Sequence, residues 1–169
     1  MLIQAHFAAI AALDLDPIKI KLCHAESGAG WSRARADAAE VEYRRFLYLM
    51  KAFPNEHTMP SVEVDTFWHH HILDTRKYAA DCAAAFGYFL HHNPALGMDA
   101  DTGAQILLRG AATTAALYQV SFGSAPQGSS AGSYRGRIVS YCGEKACYAG
   151  LAETSTLRPL AACDAAVPS

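Results

Sequence analysis

Apolar residues recur at helical spacing through most of the first 120 positions. Leu2, Ile3, Phe7, Ile10 and Leu13 stand at steps that fall on one helical face, with alanines between them, which predicts a helix over 2–13. Pro17 ends this unit or starts a short extended stretch at Ile18–Leu22. Ser27-Gly28-Ala29-Gly30 is loop by composition. Ser32 is a good N-cap, and the longest predicted helix runs from Arg33 to Phe53. Its apolar face carries Ala36, Ala39, Val41, Tyr43, Phe46, Leu47, Leu49 and Met50. Its charged residues between Arg33 and Arg45 read as a solvated face, with Glu40 and Arg44 an i,i+4 pair.

Pro54-Asn55 stops that helix, and Pro60-Ser61 opens the next element. Asp74-Thr75 caps a further helix over 76–86, with Gly87 as its C′ residue. Another helix is predicted over 102–120, capped by Asp99 or Asp101. The stretch 123–133 has the Gly/Ser composition of a linker. Residues 134–169 hold one short strand candidate, Arg137–Tyr141, and are too few for a core of their own. They are expected to be a tail, docked or disordered. The predicted fold is all-α: one compact bundle of about four or five helices over 1–122, with irregular segments at the histidine cluster described below.

Composition narrows the class. The 169 residues are 51 % hydrophobic and 18 % charged, a globular profile. A net charge of −2 leaves no basic surplus for phosphates, so nucleic acid is not an expected partner. No apolar run reaches the roughly 20 residues a membrane span needs. The apolar opening segment lacks a basic n-region, and five scattered cysteines make a poor disulfide framework, so a cytoplasmic protein is expected. Cys142 and Cys147 form a C-x4-C pair, a weak zinc signal without a second pair.

The chemistry concentrates in one window, VEVDTFWHHHILDTRKYAADCAAAFGYFLHHNP. Five of the chain's eight histidines lie there: His69, His70, His71, His91 and His92. Neutral imidazole is the commonest metal-binding side chain, and a site needs three or four donors. Asp65 and His69 share a face on a continuous helix. His69 and His71 stand about 200° apart on one, so a His-x-His chelate requires the backbone to leave helical geometry near His70. One of His91 and His92 would be the third ligand, brought back by the helix and turn before it. Trp68, Phe67, Tyr88, Phe89 and Leu90 would supply a dry surround. Cys82 follows Tyr78 by one turn and reads as a buried structural cysteine. The competing reading of the whole cluster is a hydrogen-bonded core network.

Val64, Asp65, Trp68, His69, His71 and Leu73 form a Val-Asp-x-x-Trp-His-x-His-x-Leu pattern that resembles the glycine-rich domain-containing protein-like family. Tyr78 is similar to a tyrosine that follows that motif. His91-His92-Asn93-Pro94 resembles a later Asp-His-x-Pro-like element, with His91 at the family's Asp position. The likeness covers roughly 15–122, and the Gly/Ser stretch here is too short to be that family's long glycine-rich region. The resemblance implies His69, His71 and His92 as metal ligands, with Asp65 beside them.

Three imidazoles on one ion would leave positions for water, oxygen or substrate. Iron or copper would favour oxidation, and zinc would favour hydrolysis through a bound water. Asp65 would ligate or orient His69, and Tyr78 would supply a proton or a redox-active phenol. An aromatic surround without an evident Glu base leans toward an iron or copper oxidative enzyme on a small molecule or peptide. A zinc hydrolase and a non-enzymatic helical interaction module are the alternatives.

Overall fold

A computed structural model describes residues 2–92, 103–124 and 126. These form six helices: α1 Leu2–Ala11, α2 Asp16–Cys23, α3 Arg33–Ala52, α4 Val62–Leu73, α5 Thr75–Ala85 and α6 Gly103–Phe122. No strand occurs among the described residues, and the all-α class holds. No helix among them is long and apolar enough to cross a membrane. The linker, the C-terminal tail, the Arg137–Tyr141 strand candidate and the C-x4-C pair lie outside the described residues, apart from Gly123, Ser124 and Pro126.

Three of the six helices start at a capping side chain. The Ser32 side chain accepts from the Arg35 N–H, Ser61 from Val64, and Asp74 from Lys77. The expected break or extended stretch at 18–22 is instead helix α2. Pro17 sits in its first turn, where a missing N–H costs nothing, and Asp16 favours that end of the dipole. That short helix accounts for the element beyond the four or five expected.

The helix α3 is the hub. Helices α1, α2 and α4 pack on it, α4 also touches α2 and α5, and α1 touches α5. Tyr43, Phe46, Leu47, Leu49 and Met50 from α3 meet Ile18 and Leu22 from α2 and Val64, Phe67 and Trp68 from α4 in one buried cluster. Each large apolar side chain so enclosed stabilises the fold by about 1.5–3 kcal/mol. Helix α6 joins through Tyr118, whose hydroxyl donates to the Glu42 carbonyl at 3.2 Å, and through Thr114. The Thr114 hydroxyl accepts from the Met59 N–H at 2.7 Å. Gly110 lets α6 approach there: a Cβ on it would lie 2.3 Å from Met59 Cγ.

The charged face of α3 is not simply solvated. Arg44 bonds Glu40 and also donates to the carbonyls of Ile10 and Leu13, satisfying the open C-terminal end of α1. The half-enclosed Glu40 also pairs with Lys19, which meets Asp16 at 2.8 Å and Asp37 at 3.1 Å. Burial works against the charge on Lys19, but the bonds to Asp16, Glu40 and Asp37 outweigh it and hold the ammonium well above its ordinary pKa. The i,i+4 pair seen in the sequence is thus part of a network tying α1, α2 and α3 together.

Candidate metal centre

Helix α4 runs unbroken through the histidine run. The departure from helical geometry expected near His70 does not occur, so His69 and His71 face different ways. Val64, Phe67, Trp68 and His71 fall at i, i+3, i+4 and i+7, and all four are buried. Asp65 and His69 occupy the neighbouring face. Among the described residues of the cluster, only Asp74 and residues 86–92 lie outside the helices.

The structure brings together Asp65, His69 and His92. Asp65 Oδ1 accepts from His92 Nε2 at 3.0 Å and lies 3.5 Å from His69 Nε2. One donor atom from each of the three residues lies within 4.8 Å of the other two, so the group could hold a metal ion. The spacing suits one: donors bound at about 2.1 Å and at right angles stand about 3.0 Å apart. The side chains of Asp65 and His92 are 7 % and 6 % exposed, whereas that of His69 is 48 % exposed. A bound ion would therefore be gripped from the core side and reached from the His69 side. The rings of Trp68 and His69 both stand edge-to-face against His92, each with centroids 4.6 Å away.

The structure does not bring His71 to this group. Its Nδ1 lies 2.9 Å from the Tyr43 hydroxyl and its Nε2 lies 2.9 Å from Asp81 Oδ2. A carboxylate only accepts, so Nε2 carries the proton and Nδ1 accepts from Tyr43. Lys77 closes the chain at 2.9 Å from the same Asp81 oxygen. Burial pushes the His71 pKa down against the pull of Asp81, which favours the neutral ring. Burial likewise raises Tyr43 well above the ordinary phenol value. The network reading therefore fits His71, while the ligand reading fits His69 and His92. His70 bonds the Thr66 carbonyl, and His91 is exposed against Phe89.

Tyr78 is enclosed, and its hydroxyl is hydrogen-bonded. It accepts from Trp68 Nε1 at 2.9 Å and donates to the Leu90 carbonyl at 2.5 Å. Cys82 is buried as expected, burial raises its pKa, and its Sγ accepts from the Leu90 N–H at 3.5 Å. Gly87, at φ +80, donates to the carbonyls of Cys82 and Ala83 and turns the chain back toward α4. Tyr43 is expected on the apolar face of α3 and Leu90 in the dry surround, but the hydrogen bonds they make to His71 and Tyr78, and the bond of Asp81 to His71, carry no signal in the sequence. The buried spacing of Val64, Phe67, Trp68 and His71 was a signal that His71 belongs to the core.

A separate cleft of about 300 Å³ lies where α2 meets the end of α4. Pro17, Ile18, Lys21, Ser27, His70, Leu73 and Asp74 line it, and none of the three converging residues does.

No curated protein and no solved structure matches this chain. A family model described as UCP032817-like matches residues 17–119. This overturns the resemblance to the glycine-rich domain-containing protein-like family, for which no family model matches. The Val64–Leu73 pattern that carried most of that resemblance lies within the single helix α4. The match runs from the start of α2 through most of α6, covers more than half of the chain and includes Asp65, His69 and His92, so the chain belongs to the UCP032817-like family.

Proposed function

We propose that this chain is a metalloprotein whose single divalent ion is held by Asp65, His69 and His92, and that the ion is iron(II) serving oxidative chemistry. The observation that carries the reading is the convergence of two imidazole nitrogens on one carboxylate oxygen at 3.0 and 3.5 Å. Two histidines and one carboxylate with remaining positions open are the donor set of non-haem iron(II) oxygenases. Oxygen donors do not favour copper(I), and the three-imidazole set that would have suited copper lacks His71. Each residue has a task in this reading. Asp65 neutralises part of the charge of the ion, His92 is the buried donor fixed by the protein interior, and His69 borders the side from which water or substrate arrives. Tyr78 has its hydroxyl committed to Trp68 and Leu90, so the reading gives it no proton to transfer.

A second reading rests on the same contact. Asp65 already accepts a hydrogen bond from His92, so the group is a satisfied polar network even without metal. Zinc also accepts two histidines and a carboxylate.

Elemental analysis of the untagged protein, with His69→Ala, His92→Ala and Asp65→Asn beside His71→Ala, separates these readings. Near-stoichiometric iron that is lost in the first three variants and kept in the fourth is the expected result. Stoichiometric zinc would replace oxidation with hydrolysis or a structural role. Absence of any metal after reconstitution would leave the hydrogen-bonded network as the function of the cluster.

A further inference from the structure

Two of the three converging donors need no tertiary help to meet, because Asp65 and His69 are one helical turn apart on α4. The third arrives on chain that has already left α5, and no regular secondary structure holds it. Its placement depends on Leu90. The Leu90 carbonyl accepts from Tyr78, its N–H donates to Cys82 Sγ, and its side chain is 1 % exposed. Tyr78 and Cys82 stand one turn apart on α5 and so grip both faces of a single peptide residue. Burial then alternates along the segment: Phe89 and His91 are exposed, while Leu90 is buried and His92 nearly so. This alternation puts Leu90 and His92 on the same side of the segment, so seating Leu90 inward also turns His92, and not His91, toward Asp65.

The grip is tied back to α4. Trp68 donates to the Tyr78 hydroxyl, and its ring lies edge-on to His92. A closed circuit results: Trp68 to Tyr78, Tyr78 to Leu90, Leu90 along the chain to His92, and His92 to Asp65 on the same helix as Trp68. We infer that Tyr78 and Cys82 are positioning residues that set the metal affinity of the site by fixing Leu90, and through it the third ligand. This rests on the metal-binding reading and extends it to residues that touch no ion. Groups that orient metal ligands from outside typically govern 10- to 100-fold in affinity, so about that loss is expected for each.

The test is titration of the full chain with cobalt(II), followed by the visible absorption of the bound ion. Tyr78→Phe removes the hydroxyl bonds to Trp68 and Leu90 and keeps the ring, while Cys82→Ala removes the sulfur acceptor and serves should the first variant not fold. Thr114→Val, which cuts the bonds of α6 to Met59, is the stability control. Supporting results are a dissociation constant weakened about 10- to 100-fold in the α5 variants, with an altered cobalt spectrum and unchanged helical content, while the control binds like the wild type. Wild-type affinity and spectrum in both α5 variants would overturn the inference and leave the metal site standing. Equal weakening in the Thr114 control would also overturn it, by showing general loosening. Failure of the wild type to bind cobalt would instead overturn the metal reading, and this inference with it.

Discussion

Replacing His71 by alanine discriminates best between a ligand and a core residue. The ring is 1 % exposed and joins the Tyr43 hydroxyl to the Asp81 carboxylate at 2.9 Å on each side. Its removal strands the enclosed hydroxyl of Tyr43, at about 1–3 kcal/mol for a buried polar group left unsatisfied. Asp81 is better protected, since Lys77 still meets it at 2.9 Å. The space left by the ring adds a cavity cost, somewhat below that of deleting a phenyl group, so the total is about 3–5 kcal/mol. Small domains hold about 5–15 kcal/mol, so the variant still folds in the cold. Urea unfolding followed by circular dichroism reads the loss as a lower midpoint at unchanged slope. Tyr43→Phe removes the stranded hydroxyl, so His71→Ala in that background should cost about 1 kcal/mol less. His69→Ala is the contrast: half exposed, it should shift metal-free stability by under about 1 kcal/mol while abolishing metal binding. A folded His71→Ala protein that has lost its metal, or a stability loss below about 1 kcal/mol, would refute the assignment of His71 to the core.

Two further predictions concern the scaffold. Gly110→Ala should destabilise the domain by about 1–2 kcal/mol, because the new methyl would lie 2.3 Å from Met59 Cγ, and thermal melts should show a smaller loss when Met59 is also alanine. Stability should also fall at alkaline pH. Burial raises the folded pKa of Cys82 above 9.0 and that of Tyr43 above 10.0, so the folded state holds protons that the unfolded chain releases. Their contribution is complete below pH 9 and is lost as pH rises toward the folded values. Urea midpoints measured from pH 8 to 11 should decline from about pH 9, and less steeply in Cys82→Ala; a flat profile would refute the burial argument.

Much of the scaffold was legible along the chain because its signals are local. Ser32, Ser61 and Asp74 mark helix starts through bonds to residues three positions on, and Gly87 marks a helix end through its own backbone. The pairing of Asp65 with His69 was readable for the same reason, as one turn of helix places them together. Helix α2 replaces the expected stop or extended stretch at Pro17, because a proline in the first turn of a helix is tolerated as a start.

What the tertiary structure decided is which side of α4 each histidine serves. Five histidines in one window could be read as ligands or as a core network, and both readings fit the same composition. The packing of α4 against α3 buries the Val64, Phe67, Trp68 and His71 face and hands His71 to Tyr43, a residue 28 positions earlier. The return of the chain after α5 hands Asp65 to His92, 27 positions later. Neither distance carries a periodic signal. The amino-acid sequence determined the helices and the chemistry available on them; the contacts that sort that chemistry into a core network and a candidate ion site exist only once distant helices have packed.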